Sequence, residues 1–291
     1  MSRIAVNGVQ LNVEVRGEGP ALLLLHGFTG SAATWTPFQD AWQGFTTIAL
    51  DLLGHGASDS PPQPDRYRME RCLDDLVTLL DDRLGFRQVA ILGYSMGGRI
   101  ALRLALQAPA RLRALVLEST SPGIEDATER EARVRSDGSL AEAVERHGIE
   151  VFVERWQALP LFASQARLPP ALREELRRQR LANDPQGLAQ SLRGIGAGLQ
   201  EPVLERLGAL RLPTFLLAGA LDERYTGLAQ RLAAALPCAR LAIVAQAGHA
   251  IHLEQPQRFS KLVRGFLDQF PQETAERKVN DAGSLATDQE L

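Results

Sequence analysis

The chain is 291 residues long, with 45% apolar and 23% charged residues, a composition that excludes disordered, collagenous and disulfide-scaffold classes. Its 32 basic and 35 acidic residues leave a net charge of −3, so no polycation is offered to nucleic acid or to an anionic membrane surface. Two cysteines, Cys72 and Cys238, are too few for a disulfide framework. The opening Met-Ser-Arg-Ile-Ala-Val-Asn has no basic segment followed by an apolar one. No later stretch approaches the roughly 18 apolar residues of a membrane span. The reading is a soluble, cytoplasmic protein that works on a small molecule, either as a monomer or as a small homo-oligomer.

Short apolar runs alternate with longer amphipathic stretches, the pattern of βα units feeding a mostly parallel sheet. Strands are expected at Leu11–Arg16, Ala21–Leu25, Thr46–Leu50, Val89–Leu92, Leu115–Leu117, Thr214–Ala218 and Leu241–Val244. Several are continuously apolar, as strands covered on both faces require. Helices are expected at Met69–Leu84, stopped by Gly85, and at Arg99–Gln107. The gap between the strands ending near Leu117 and beginning near Thr214 is far too long for an ordinary connection. Residues 122–200 therefore form a helical lid, with segments at Leu140–His147, Ile149–Leu159, Pro170–Asn183 and Gly187–Gly194. The core is then 1–121 with 201–270, and the polar tail 271–291 is expected to be disordered.

Only Lys261 and Lys278 are lysine, and neither follows a glycine, so a phosphate-cradling P-loop is absent. Gly54-His55-Gly56-Ala57-Ser58-Asp59 lacks the third glycine of a dinucleotide fingerprint. No cofactor is expected. His249-Ala250-Ile251-His252 lacks the glutamate of a zinc helix, and no metal is expected either.

Gly93-Tyr94-Ser95-Met96-Gly97 lies between an apolar strand and a helical stretch, the context of a nucleophile elbow that lifts Ser95 above the sheet. A serine hydroxyl needs an imidazole within reach and an acid to orient it. Asp222, after one late strand, and His249, after the next, follow in the order this fold requires. His252 is the rival base. The backbone N–H groups of Phe28, in His26-Gly27-Phe28, and of Met96 are the expected oxyanion-hole donors. Asp51 reads as a turn-forming carboxylate. Arg99, four residues after Ser95, stacks on the same helix face, where it either binds an anionic group or reaches solvent. Arg133 and Arg180 by themselves read as a solvated lid face, and Trp156 as lid core or pocket wall.

Leu25-His26-Gly27-Phe28-Thr29-Gly30, Gly93–Arg99, Glu118-Ser119-Thr120-Ser121-Pro122-Gly123 and Leu161-Phe162-Ala163-Ser164-Gln165 resemble the menaquinone-pathway 2-succinyl-6-hydroxy-2,4-cyclohexadiene-1-carboxylate synthases, which have the α/β-hydrolase fold. The resemblance spans roughly residues 1–270, with Arg224-Tyr225 where that family often has a lysine before an aromatic residue. It implies a pyruvate-eliminating lyase in which Ser95, made basic by His249 and Asp222, removes a ring proton from an enolpyruvyl ether. It also implies that Arg99, Arg133 and Arg180 bind substrate carboxylates and that Tyr94 and Trp156 line the pocket. The alternative use of the same triad is hydrolysis of a small anionic ester, thioester or carbon–carbon bond.

Overall fold

The structure, a computed structural model, describes residues 1–270. Eight strands form one sheet in the order β1-β2-β4-β3-β5-β6-β7-β8. They are β1 Ser2–Val6, β2 Val9–Arg16, β3 Ala21–Leu25, β4 Thr46–Leu50, β5 Val89–Tyr94, β6 Leu112–Glu118, β7 Thr214–Gly219 and β8 Ala239–Val244. β1 and β2 pair antiparallel, β2 joins β4 antiparallel, and every pairing from β4 to β8 is parallel. The α/β-hydrolase architecture expected from the sequence is therefore present.

β1 is the strand the sequence reading missed. It is an edge strand with mostly exposed residues, so it lacks the apolar run that marked the others. Its signal was the turn: Asn7 and Gly8 both have positive φ (45° and 84°), as a two-residue hairpin turn demands.

The central strands explain why the sheet forms. β3, β4 and β6 are buried along their whole length, and their alternate side chains feed two apolar layers. Leu23, Leu25, Ile91 and Leu115 point to one layer, while Leu22, Leu24, Leu92 and Val116 join Trp35, Trp42 and Phe259 in the other. Such a strand, covered on both sides, puts its carboxyl end at the rim where ligands gather. The helix Met69–Thr78 runs on through a wider turn, Leu79–Arg83, and the chain turns at Gly85 with φ 72°.

Between β6 and β7 lies a helical insertion. Its helices are Ala127–Gln157, Pro170–Leu181 and Pro185–Ile195. The first begins well before the expected Leu140, capped by the Asp126 side chain accepting from Glu129 N, and it breaks at Gly148, where φ is 79° and ψ 173°. Ala141, Val144, Phe152 and Val153 pack there on Leu188, Ala189 and Leu192, a small core separate from those of the sheet. Among the described residues no helix is long and apolar enough to cross a membrane, and Cys72 and Cys238 are both free.

The elbow depends on glycine for space. A Cβ on Gly97 would lie 2.3 Å from Leu25 O and 2.7 Å from His26 O. Gly97→Ala should therefore force backbone apart and cost about 1–3 kcal/mol or more, read as a lower urea midpoint at unchanged m-value. An unaltered midpoint would mean that the β3–elbow contact can relax freely.

Candidate active site

Ser95 follows the last residue of β5 and caps the helix Met96–Gln107 with φ 51° and ψ −105°, a left-handed conformation that a serine adopts only when its surroundings hold it there. Its hydroxyl lies 3.0 Å from His249 Nε2, and His249 Nδ1 lies 2.8 Å from Asp222 Oδ2. Asp222 caps the helix Glu223–Ala235, with Oδ1 accepting from Tyr225 N at 3.1 Å. This second bond fixes the carboxylate. Nδ1–H of the imidazole donates to it, which leaves Nε2 free to accept the serine proton. The segment carrying His249 is held by Glu254, whose Oε2 accepts from Gly248 N and whose Oε1 accepts from Ser164 Oγ in the lid.

The backbone N–H groups of Phe28 and Met96 donate to no acceptor among the described residues. The loop bearing Phe28 is tied down by His26, which donates from Nδ1 to Gly27 O at 2.7 Å and accepts at Nε2 from Leu52 N at 3.0 Å. Asp51 accepts from Ala32 N, Ala57 N and Asn12 Nδ2, which is structural work on two turns. His252 lies against the buried carboxylate of Glu118 and makes no contact with the Ser95 hydroxyl. The rival base is thus excluded by position.

Ser95 and His249 open into a cavity of about 740 Å³ roofed by the insertion. Tyr94, Arg99, Arg133, Trp156 and Phe162 line it. Among the described residues no cluster of three or more His, Cys, Asp or Glu side chains could hold a metal.

The α/β-hydrolase-fold family profile matches residues 20–256. A Bacillus subtilis protein provisionally named 2-succinyl-6-hydroxy-2,4-cyclohexadiene-1-carboxylate synthase is 42% identical over 257 residues, covering 87% of this chain and 93% of its own. The chain belongs to this synthase family. A Klebsiella pneumoniae synthase of the same name is 32% identical, covering 81% of this chain and 89% of its own. Among solved structures, MenH from S. aureus superposes with a TM-score of 0.83 at 32% identity, covering 89% of this chain and 98% of that one. A malate-bound thermophilic esterase from Thermogutta terrifontis superposes at 0.80 with 27% identity, covering 93% and 97%.

Within this synthase-family cavity the arginines differ in setting. The Arg99 side chain makes one hydrogen bond among the described residues, to Ile195 O at 3.3 Å. Burial pushes its guanidinium down to about 10, opposed by Tyr225 and deepened by Arg133, so it keeps its charge at neutral pH. Arg133 donates from Nε to Asp137 Oδ1 at 2.8 Å, and Asp137 Oδ2 is buried without a partner. Arg180 does not line the cavity. Its guanidinium lies 5.3 Å over the Phe162 ring and donates to Gln165 Oε1 at 3.3 Å, and burial lowers its pKa. Trp156 stacks on Phe152 and meets the rings of Phe28 and Phe162 at 5.2 and 5.6 Å, its indole N–H unpartnered. Burial raises the Tyr94 phenol well above its usual value, with Glu118 adding to this and Arg180 opposing it.

Sequence reasoning missed Asp137 and Tyr225 as site residues. Asp137 carried the signal of an i,i+4 partner for Arg133. Tyr225, whose ring lies 4.4 Å from that of His249, carried a signal only as the aromatic of Arg224-Tyr225, at the place where the family often has a lysine before an aromatic residue.

His26 and His55 are buried, with ring centroids 5.1 Å apart. Burial lowers His26 to about 4 and His55 to about 3. The unfolded chain therefore takes up these protons first, so stability is complete above about pH 6.5 and falls as pH drops through the window toward 3. Each histidine should cost on the order of 3 kcal/mol or more by the acid end. Denaturation at stepped pH should show His26→Asn and His55→Asn flattening this slope, and an unchanged slope would assign it to other groups.

Proposed function

We propose that this chain eliminates pyruvate from an enolpyruvyl ether to form 2-succinyl-6-hydroxy-2,4-cyclohexadiene-1-carboxylate, the compound for which its relatives are named. The observation that carries the reading is Arg99, a charged, under-bonded guanidinium one helical turn from Ser95 on the wall of the cavity. A polycarboxylate needs such a group beside the reacting atom, and in a half-dry pocket it binds far more strongly than at a surface.

On this reading Ser95 takes a ring proton as His249 takes the serine proton, with Asp222 stabilising the imidazolium. The ring C–H electrons form the new double bond, the C–O bond to the enolpyruvyl group breaks, and the enolpyruvate that leaves picks up a proton to become pyruvate. The N–H groups of Phe28 and Met96 hold negative charge developing on oxygen. Arg99 and Arg133 bind substrate carboxylates, with Arg180 backing the wall through Phe162, and Tyr94 and Trp156 line the pocket. Small-molecule binding in the cytosol, with neither nucleic acid nor membrane as partner, fits the slightly acidic charge and the two free cysteines. A second reading, hydrolysis of a small anionic ester, is favoured by the two unengaged N–H donors, since a tetrahedral oxyanion would occupy the same place.

Pyruvate release from the freshly made pathway intermediate separates the two. Wild type should turn it over, and Ser95→Ala and His249→Ala should each lose on the order of a thousandfold in kcat, with the double variant losing little more. Fast hydrolysis of an aryl ester through a trapped acyl-Ser95, without pyruvate release, would replace lyase by hydrolase. Arg99→Ala should cost about 2–5 kcal/mol in kcat/KM. A loss below about 1 kcal/mol would remove Arg99 from carboxylate binding.

A further inference from the structure

The block Glu118-Ser119-Thr120 carries part of the family resemblance, yet it has no part in the chemistry above and Glu118 does not line the cavity. Glu118 ends β6 and is fully buried, as is His252. A carboxylate in that position is expensive unless hydrogen bonds surround it, and an apolar side chain would fill the same space without the cost. Here the bonds are present, and they converge from two directions. Glu118 O accepts from Ser95 N at 2.9 Å. Its Oε1 accepts from His252 N at 3.0 Å, and both carboxylate oxygens lie 2.9 Å from His252 Nδ1. Two residues on, Thr120 Oγ1 donates to Ser95 O at 2.9 Å, while Gly98 leaves room for Thr120, whose Cβ would be 2.7 Å from a Cβ there.

Both backbone polar groups of the nucleophile are thus gripped by one three-residue segment. The same segment grips the chain three residues after His249. Tyr94 touches both imidazoles, its ring edge-on to His252 at 4.6 Å and 5.4 Å from that of His249.

We propose that Glu118 is a positioning residue that clamps the His249 segment to the Ser95 turn and so sets the 3.0 Å Oγ–Nε2 separation. This rests on the reading that Ser95 and His249 act together. A misplacement of about 1 Å in such a pair costs on the order of 100-fold.

The test compares Glu118→Ala and Glu118→Gln with wild type. Pyruvate release gives kcat and KM, and the rate of Ser95 labelling by a fluorophosphonate probe reports the serine–imidazole couple without the substrate. Glu118→Ala should lower kcat by about 10- to 100-fold, slow labelling by a similar factor, and leave KM within about threefold. Glu118→Gln, which still accepts from His252 N and can donate to Nδ1 of the other tautomer, should recover most of both rates. Unchanged kcat and labelling in Glu118→Ala, a change confined to KM, or a loss that Glu118→Gln does not restore would overturn the clamp. Should Glu118→Ala fail to fold, His252→Asn, which keeps the backbone N–H bond and removes the Nδ1 contact, should lower both rates by a smaller factor, and unchanged rates in it would overturn the clamp. Wild type that labels but releases no pyruvate would sink the proposed reaction, and the labelling comparison would still decide the clamp.

Discussion

A serine held at φ 51° is the constraint around which the molecule is arranged. The turn that presents its hydroxyl needs a strand behind it, a helix ahead of it and almost no side-chain volume beside it. β5 supplies the strand, and Gly93, Gly97 and Gly98 supply the space, each backed by atoms closer than a Cβ tolerates. The backbone strain is of the order of 1–3 kcal/mol. It is offset by bonds to the neighbouring strand, where Glu118 O accepts from Ser95 N and Thr120 Oγ1 donates to Ser95 O, while on the other side Gly97 packs closely on the backbone of Leu25 and His26. The site is therefore a property of three adjacent strands, β3, β5 and β6, rather than of one loop.

Charge is the second organising quantity. On the cavity wall Arg133 lies close enough to Arg99 to disfavour its charge, and Asp137, which accepts from Arg133 Nε, opposes this. Asp137 is taken up by Arg133, which leaves Arg99, among the described residues, with no carboxylate partner and only the carbonyl of Ile195. Aromatic rings fill the spaces between these charges. Phe162 meets His249 edge-on and carries Arg180 over its ring, and Arg180 itself is not among the lining residues. Phe28 lines the cavity while its ring packs on Trp156 of the insertion, coupling the roof to the loop after β3.

Seven of the strands and the acid–histidine order were legible because their signals are local. Continuous apolar runs mark β3 and β5, a glycine-bracketed serine marks the elbow, and chain order places Asp222 before His249. β1 escaped because an edge strand with solvent on one face has no apolar run, and only Asn7-Gly8 announced it. The early start of the first inserted helix escaped because its opening turns are charged and exposed, held by the Asp126 cap rather than by a buried stripe. Arg133 and Arg180 looked alike in sequence, yet the fold sends one to the cavity and the other behind a phenylalanine. That difference depends on packing between helices that are distant in the chain. The Glu118–His252 couple was invisible for the same reason: the two lie 134 residues apart.

Gly148 settles a question of reach. An unbroken rod with the usual 1.5 Å rise would hold positions 133 and 156 about 35 Å apart, pointing about 140° away from each other. No pocket the size of one small metabolite could then touch both. A single residue of positive φ with nothing crowding it breaks that rod, so that Arg133 and Trp156, from one continuous stretch of chain, both line the same cavity. The makeup of the roof thus depends on a residue that has no side chain and is not itself part of the wall.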